Sequence, residues 1–121
     1  LVPAALENQI TIRNVHNIKA KIVLELANGP TTPQADEILY KKGIYVVPDV
    51  LANSGGVSVS CFEWQQNLAG KHWRIEEVNT RLKEKMESSF AGIWKISNEK
   101  KIDLRTAAFI VAINRILQNL H

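Results

Sequence analysis

The stretch Pro48-Asp49-Val50-Leu51-Ala52-Asn53-Ser54-Gly55-Gly56-Val57-Ser58-Val59-Ser60-Cys61-Phe62-Glu63-Trp64 separates two kinds of sequence. Short apolar β-type runs precede it, and long helical patterns follow. Asn53 and two glycines bridge a hydrophobic strand, Ile44-Tyr45-Val46-Val47, and a helix expected from Val57. Open α/β sheets bind ligands at such crossovers, beyond the carboxyl ends of their strands. Function is therefore expected here. On pattern alone, Asn53 reads first as a strand end that tolerates a left-handed turn, ahead of a ligand role, and Gly55-Gly56 as ordinary punctuation.

Working toward the N-terminus, Thr32 suits a helix N-cap and Pro33 the first helical position. Ala35, Ile38 and Leu39 then make an amphipathic helix to about Lys42, with Gly43 able to close it in a left-handed cap. Before it, Ala27-Asn28-Gly29-Pro30 is a turn, and Ala20 to Leu26 is apolar enough for a buried strand. Strand, helix and strand form one βαβ unit with a parallel sheet and right-handed crossover. The loops holding Asn28 and Asn53 then share one sheet edge, which is the main structural argument for a site. Leu1-Val2 reads as a strand end closed by Pro3, so the chain is expected to be a piece of a longer one. Ala4 to Gln9 reads as a loop. Ile10 to Ile18 stays open between a short helix capped by Thr11 and irregular structure.

Toward the C-terminus, Val57, Ser60, Cys61 and Trp64 recur at i, i+3, i+4 and i+7, one face of a helix ending at Gly70. Cys61 on that face reads as a small buried hydrophobe. Ser60, in mid-helix, by default bonds its own i−4 carbonyl. Ile75, Val78, Leu82, Met86, Phe90, Ile93 and Trp94 mark a long amphipathic helix, and Asp103 caps a last one. Residues Ala107 to Ile113 are apolar all round and are expected to be buried.

With 121 residues the chain makes one domain, and 45% hydrophobic with 22% charged residues is an ordinary globular composition. The net charge of +3 comes from bases interleaved with acids, so no nucleic-acid surface is expected. The single cysteine excludes an internal disulfide framework. The dispersed His16, His72 and His121 make no metal site. No apolar run reaches the roughly 18 residues a membrane helix needs, and no leader pattern is visible, so no membrane partner and a cytoplasmic location are expected.

Three ordered motifs, Leu1-Val2-Pro3-Ala4-Ala5, Ala27-Asn28-Gly29-Pro30-Thr31-Thr32-Pro33 and Pro48 to Trp64, together with Arg105-Thr106-Ala107-Ala108, resemble the glutamate dehydrogenases of the glutamate/leucine/phenylalanine/valine dehydrogenase superfamily. The resemblance covers nearly the whole chain. It implies an α/β fold: the second half of a Rossmann-like nucleotide-binding domain, with residues 1–56 the βαβ portion and 57–121 the long C-terminal helices. It implies NAD or NADP as cofactor, L-glutamate and 2-oxoglutarate as substrates, and a homo-oligomer, a hexamer by family habit. Ala4 and Ala5 would lie along the dinucleotide, Asn28 near the nicotinamide ribose and Asn53 at the carboxamide. Val57 and Ser60 would contact the glutamate side chain, with Ser60 bonding its distal carboxylate. Ser60 favours glutamate over leucine- or phenylalanine-type substrates, whose enzymes usually carry an apolar or small residue there. Leu26 and Cys61 depart from the family, which usually has glycine and an aromatic residue at these positions. No G-x-G-x-x-G is present, and the family's catalytic Lys and Asp lie upstream of the matching region, so no catalytic residue is assigned and the chain alone is expected to show no turnover. The other class of function is a non-catalytic helical interaction module, motivated by much apolar helix over little sheet; a related branched-chain or aromatic amino acid dehydrogenase is a variant of the first.

Overall fold

The computed structural model describes residues 1–120; His121 lies outside the described residues. Two parallel strands, β1 (Ile22–Leu24) and β2 (Tyr45–Val47), pair with Val23 opposite Val46. Leu1 extends the ladder on the other edge of β1: its amino group donates to Ile22 O at 3.0 Å and its carbonyl accepts from Leu24 N at 2.9 Å. Pro3, which has no N–H to give, only accepts, from Leu26 N and Ala27 N. The first three residues thus run as strand-like backbone beside β1, as their sequence implies.

Helix α1 (Pro33–Lys41) connects β1 to β2, which makes the expected βαβ unit. Pro33 occupies its first turn and Gly43 follows its end at φ 69°, a conformation that only glycine adopts freely. One face of the sheet packs on α1 and the segment before β1, through Val23, Ala35, Leu39 and Val46, with Ile10 and Val15. On the opposite face, Val47 packs with Leu51, Ile93, Leu104, Ala107 and Ala108 from the C-terminal helices. The alternation of Val46 and Val47 between these cores is the period-2 pattern of a strand covered on both sides. The open question at Ile10 to Ile18 is settled as mostly irregular backbone. Ile10 bridges to Thr31, and a single 3-10 turn covers Val15–Asn17.

After β2, a short helix α2 (Asp49–Ala52) precedes α3 (Ser54–Ala69), α4 (Ile75–Lys100) and α5 (Leu104–Gln118). Gly70 ends α3 at φ 61°, and Asp103 caps α5 by accepting from Thr106 N at 2.8 Å. The stop at Gly70 and the start at Asp103 match their sequence signals.

The buried face of α3 does not. Helix α3 starts at Ser54 rather than Val57, and its inward residues are Ser58 and Phe62. Val57 is 68% exposed and Trp64 62%, and Cys61 is exposed instead of buried. The reason is that α3 meets α4 through small residues. Ser54 turns its hydroxyl onto Leu51 O and Met86 Sδ, and Gly55 faces Leu82. An apolar count cannot detect a face made of serine and glycine. The expectation for Ala107 to Ile113 holds only at its inward residues: Ala107 and Ala108 are buried, whereas Phe109 and Ile113 are exposed. Trp94 stacks on Phe90 and meets Tyr45 at a tilt near the surface, while half-buried Trp73 packs on Phe62 and beneath the Arg81 guanidinium.

Candidate functional site at the carboxyl edge of the strands

The turn after β1 and the α2–α3 junction after β2 meet at one sheet edge. Asn53 Nδ2 donates to Asn28 Oδ1 at 2.7 Å, and more weakly to Leu26 O at 3.5 Å. The left-handed residue of the first loop is Gly29, at φ 54°, and Asn53 is not left-handed at φ −97°. Its place is set instead by closing α2 and opening α3. Asn53 Oδ1 and Asn28 Nδ2 have no hydrogen-bond partner among the described residues. An acceptor and a donor are the groups a carboxamide pairs with.

The other sequence-assigned residues sit around this pair. Pro3 O, bonded to Leu26 N and Ala27 N, brings Ala4 and Ala5 up to the same edge. Both alanines are exposed and line a groove of about 600 Å³ that includes neither asparagine. Val57 and Ser60 follow Asn53 at i+4 and i+7, so they continue from it along one exposed face of α3. Gly55 and Gly56 are not demanded by internal packing. A Cβ at Gly55 would meet Leu82 Cδ1 at an ordinary 3.9 Å, and one at Gly56 would meet nothing. Of the six assigned residues, the structure brings only Asn28 and Asn53 into direct contact; Ala4 and Ala5 line a groove of their own, and Val57 and Ser60 lie along α3. Among the described residues no group of His, Cys, Asp and Glu is placed to hold a metal ion, and no helix is long and apolar enough to cross a membrane.

Beneath the edge lies an ion cluster that motif reading passed over. Glu25, in the buried extension of β1, is 0% exposed. Arg105, in the first turn of α5, donates Nη2 to both Glu25 oxygens at 2.8 Å, Nε to Asp36 Oδ2 at 2.6 Å and Nη1 to Asp49 Oδ1 at 3.1 Å. Burial raises the Asp36 carboxyl above its ordinary 3.8, and the opposing hydrogen bond and charge of Arg105 do not cancel it. Burial alone would lower the Arg105 value, but Asp36 and Glu25 hold the guanidinium above its usual range, so it stays charged. Two carboxylates pass the contact on: Glu25 Oε2 accepts from Asp49 N at 2.9 Å, and Asp49 Oδ2 accepts from Gly29 N at 2.8 Å. A glutamate in an otherwise apolar buried strand was the available sequence signal, since a buried carboxylate requires a cation.

The model of the Glutamate/Leucine/Phenylalanine/Valine dehydrogenase family matches residues 1–121. The chain belongs to that family. It is 58% identical over 115 residues to the NAD-specific glutamate dehydrogenase of Staphylococcus aureus (strain COL), a match covering 95% of this chain and 28% of the relative. It is 55% identical over 116 residues to the NADP-specific glutamate dehydrogenase of a Synechocystis species, covering 96% of this chain and 27% of the relative. The crystal structure of glutamate dehydrogenase from Peptoniphilus asaccharolyticus superposes with a TM-score of 0.90 at 45% identity, over 95% of this chain and 29% of that one. A hetero-hexameric glutamate dehydrogenase from Thermus thermophilus gives a TM-score of 0.90 at 33% identity, over 95% of this chain and 28% of that one. The chain spans between a quarter and a third of the length of these dehydrogenase-family relatives. The α/β fold with a parallel pair and long C-terminal helices is the architecture the resemblance implies.

Proposed function

We propose that this chain forms the nicotinamide- and substrate-facing part of an NAD- or NADP-dependent glutamate dehydrogenase, with residues 1–56 and 57–121 as the βαβ and helical portions of its nucleotide-binding domain. The observation that carries this is the Asn28–Asn53 amide pair at the carboxyl edge of two parallel strands, with its free acceptor and donor. The residues fit the nicotinamide end of a dinucleotide. Asn53 and Asn28 offer the amide groups that a carboxamide and a ribose pair with, Ala4 and Ala5 present small exposed side chains, and Gly56 leaves its surface open.

The bound dinucleotide supplies the hydride acceptor for oxidation at the glutamate α-carbon. In this reading the chain's own part is orientation. Asn53 holds the carboxamide in register, Asn28 the ribose, and exposed Val57 and Ser60 on α3 meet the substrate side chain, Ser60 donating to its distal carboxylate. A hydroxyl donor there favours glutamate over an apolar amino acid, because a carboxylate without a partner is costly to desolvate. The exposed apolar residues of α5 serve contacts within the larger enzyme, a homo-oligomer of hexamer type located in the cytoplasm.

The test is a graft. The 121 residues replace the matching segment of the Staphylococcus aureus enzyme, and cofactor reduction is followed with glutamate or leucine as substrate. Glutamate-dependent reduction is expected, with leucine poor and with the 121-residue chain alone inactive. A soluble, folded graft that reduces no cofactor with glutamate contradicts the proposal.

A further inference from the structure

The Arg105 cluster ties the two cores of the chain together. Its carboxylates come from the end of β1, from α1 and from the first turn of α2, and the guanidinium comes from α5. Only one side of this hub is structural in an ordinary sense. The other reaches the ligand loops directly. Asp49, held by Arg105 through Oδ1, uses Oδ2 to fix Gly29 N, the residue after Asn28. Through its backbone N–H on Glu25, the same Asp49 fixes the start of α2, the four-residue helix that ends at Asn53. Asn28 directly precedes the clamped Gly29, and Asn53, one helical turn past Asp49, donates its backbone N–H to Asp49 O at 3.0 Å.

We propose that Arg105 is a positioning residue for the nicotinamide end of the cofactor: by anchoring Glu25 and Asp49 it sets the Asn28–Asn53 amide pair in register. This rests on the functional reading above and adds to it a residue that touches neither cofactor nor substrate. A planar fork is needed for the role. Arg105 serves three carboxylates in three directions, whereas a lysine ammonium carries the same charge as a single point on a flexible stem. Arg105→Lys thus keeps the cluster's charge while loosening its geometry. Asp49→Asn is the complementary change, since an amide has only one acceptor oxygen to divide between Arg105 and Gly29.

The experiment measures binding of two ligands to the graft with and without each substitution. NADH carries the nicotinamide and its ribose, and ADP lacks both. Either substitution is expected to weaken NADH binding by about tenfold, the worth of one well-placed hydrogen bond, while ADP binding stays unchanged. Equal weakening of both ligands would mean a general loss of fold, and no change in either would mean that the cluster does not reach the loops; each overturns the proposal. If the unsubstituted graft binds no NADH, the functional reading falls and this inference falls with it. If it binds NADH but fails to oxidise glutamate, only the substrate assignment falls, and selective loss of NADH affinity on Arg105→Lys still supports the positioning role.

Discussion

Arg105→Ala is expected to destabilise the folded chain by about 3–5 kcal/mol, the usual consequence of removing one partner from a buried ion pair. The size follows from what is left behind. Glu25 is 0% exposed and receives two hydrogen bonds from the guanidinium, so it would lose its cation with no water to replace it. Asp36 and Asp49 would lose the same partner, leaving three carboxylates in mutual repulsion. Domains of this size hold only about 5–15 kcal/mol in total, so the substitution approaches outright unfolding. Exposed pairs give the contrast. Lys41–Glu37 sits on the solvent side of α1 with both side chains mostly exposed, and its loss is expected to leave stability nearly unchanged. Denaturant unfolding of Arg105→Ala beside Lys41→Ala checks both expectations. Similar losses for the two would show that the Arg105 cluster is no more than a surface pair.

Asn53→Ala is the second large effect, and it is one of function rather than stability. Asn53 is half-buried and its side chain bonds only to Asn28 and, weakly, Leu26, so truncation removes little packing. It does remove the unpartnered Oδ1 acceptor, and it frees Asn28 to rotate. In the graft, kcat/KM for the dinucleotide is expected to fall about 10–100-fold, or about 1.4–2.7 kcal/mol of transition-state stabilisation. Unfolding should barely change. Steady-state kinetics with cofactor varied at saturating glutamate measures the first, and thermal unfolding the second. A kcat/KM within error of the unsubstituted graft would remove Asn53 from the cofactor site.

What was legible in the sequence was local. Pro33, Gly43, Gly70 and Asp103 announce helix ends through their own dihedral preferences and hydrogen-bonding groups, and each stands where its chemistry requires. The convergence of Asn28 and Asn53 was also readable, because a βαβ unit forces its two strand ends onto one edge. The face of α3 was not, since Ser54, Gly55 and Ser58 carry no hydrophobic signal although they pack inward. The Arg105 cluster was out of reach for a different reason. Its partners lie 56, 69 and 80 residues away along the chain, and no local period connects them. The exposed apolar residues of α5 mark the limit of pattern reading: helical periodicity shows which residues want burial, not whether their neighbours lie in the same stretch of chain.

The central claim is that the amide pair at the strand edge receives the nicotinamide. A crystal structure of the graft with NADH bound tests it most directly. The account predicts the carboxamide within hydrogen-bonding distance of the Asn53 side chain, about 2.7–3.2 Å, with Asn28 beside the adjoining ribose and the Asn53–Asn28 contact retained. A nicotinamide bound elsewhere, with Asn28 and Asn53 still facing solvent, would contradict it.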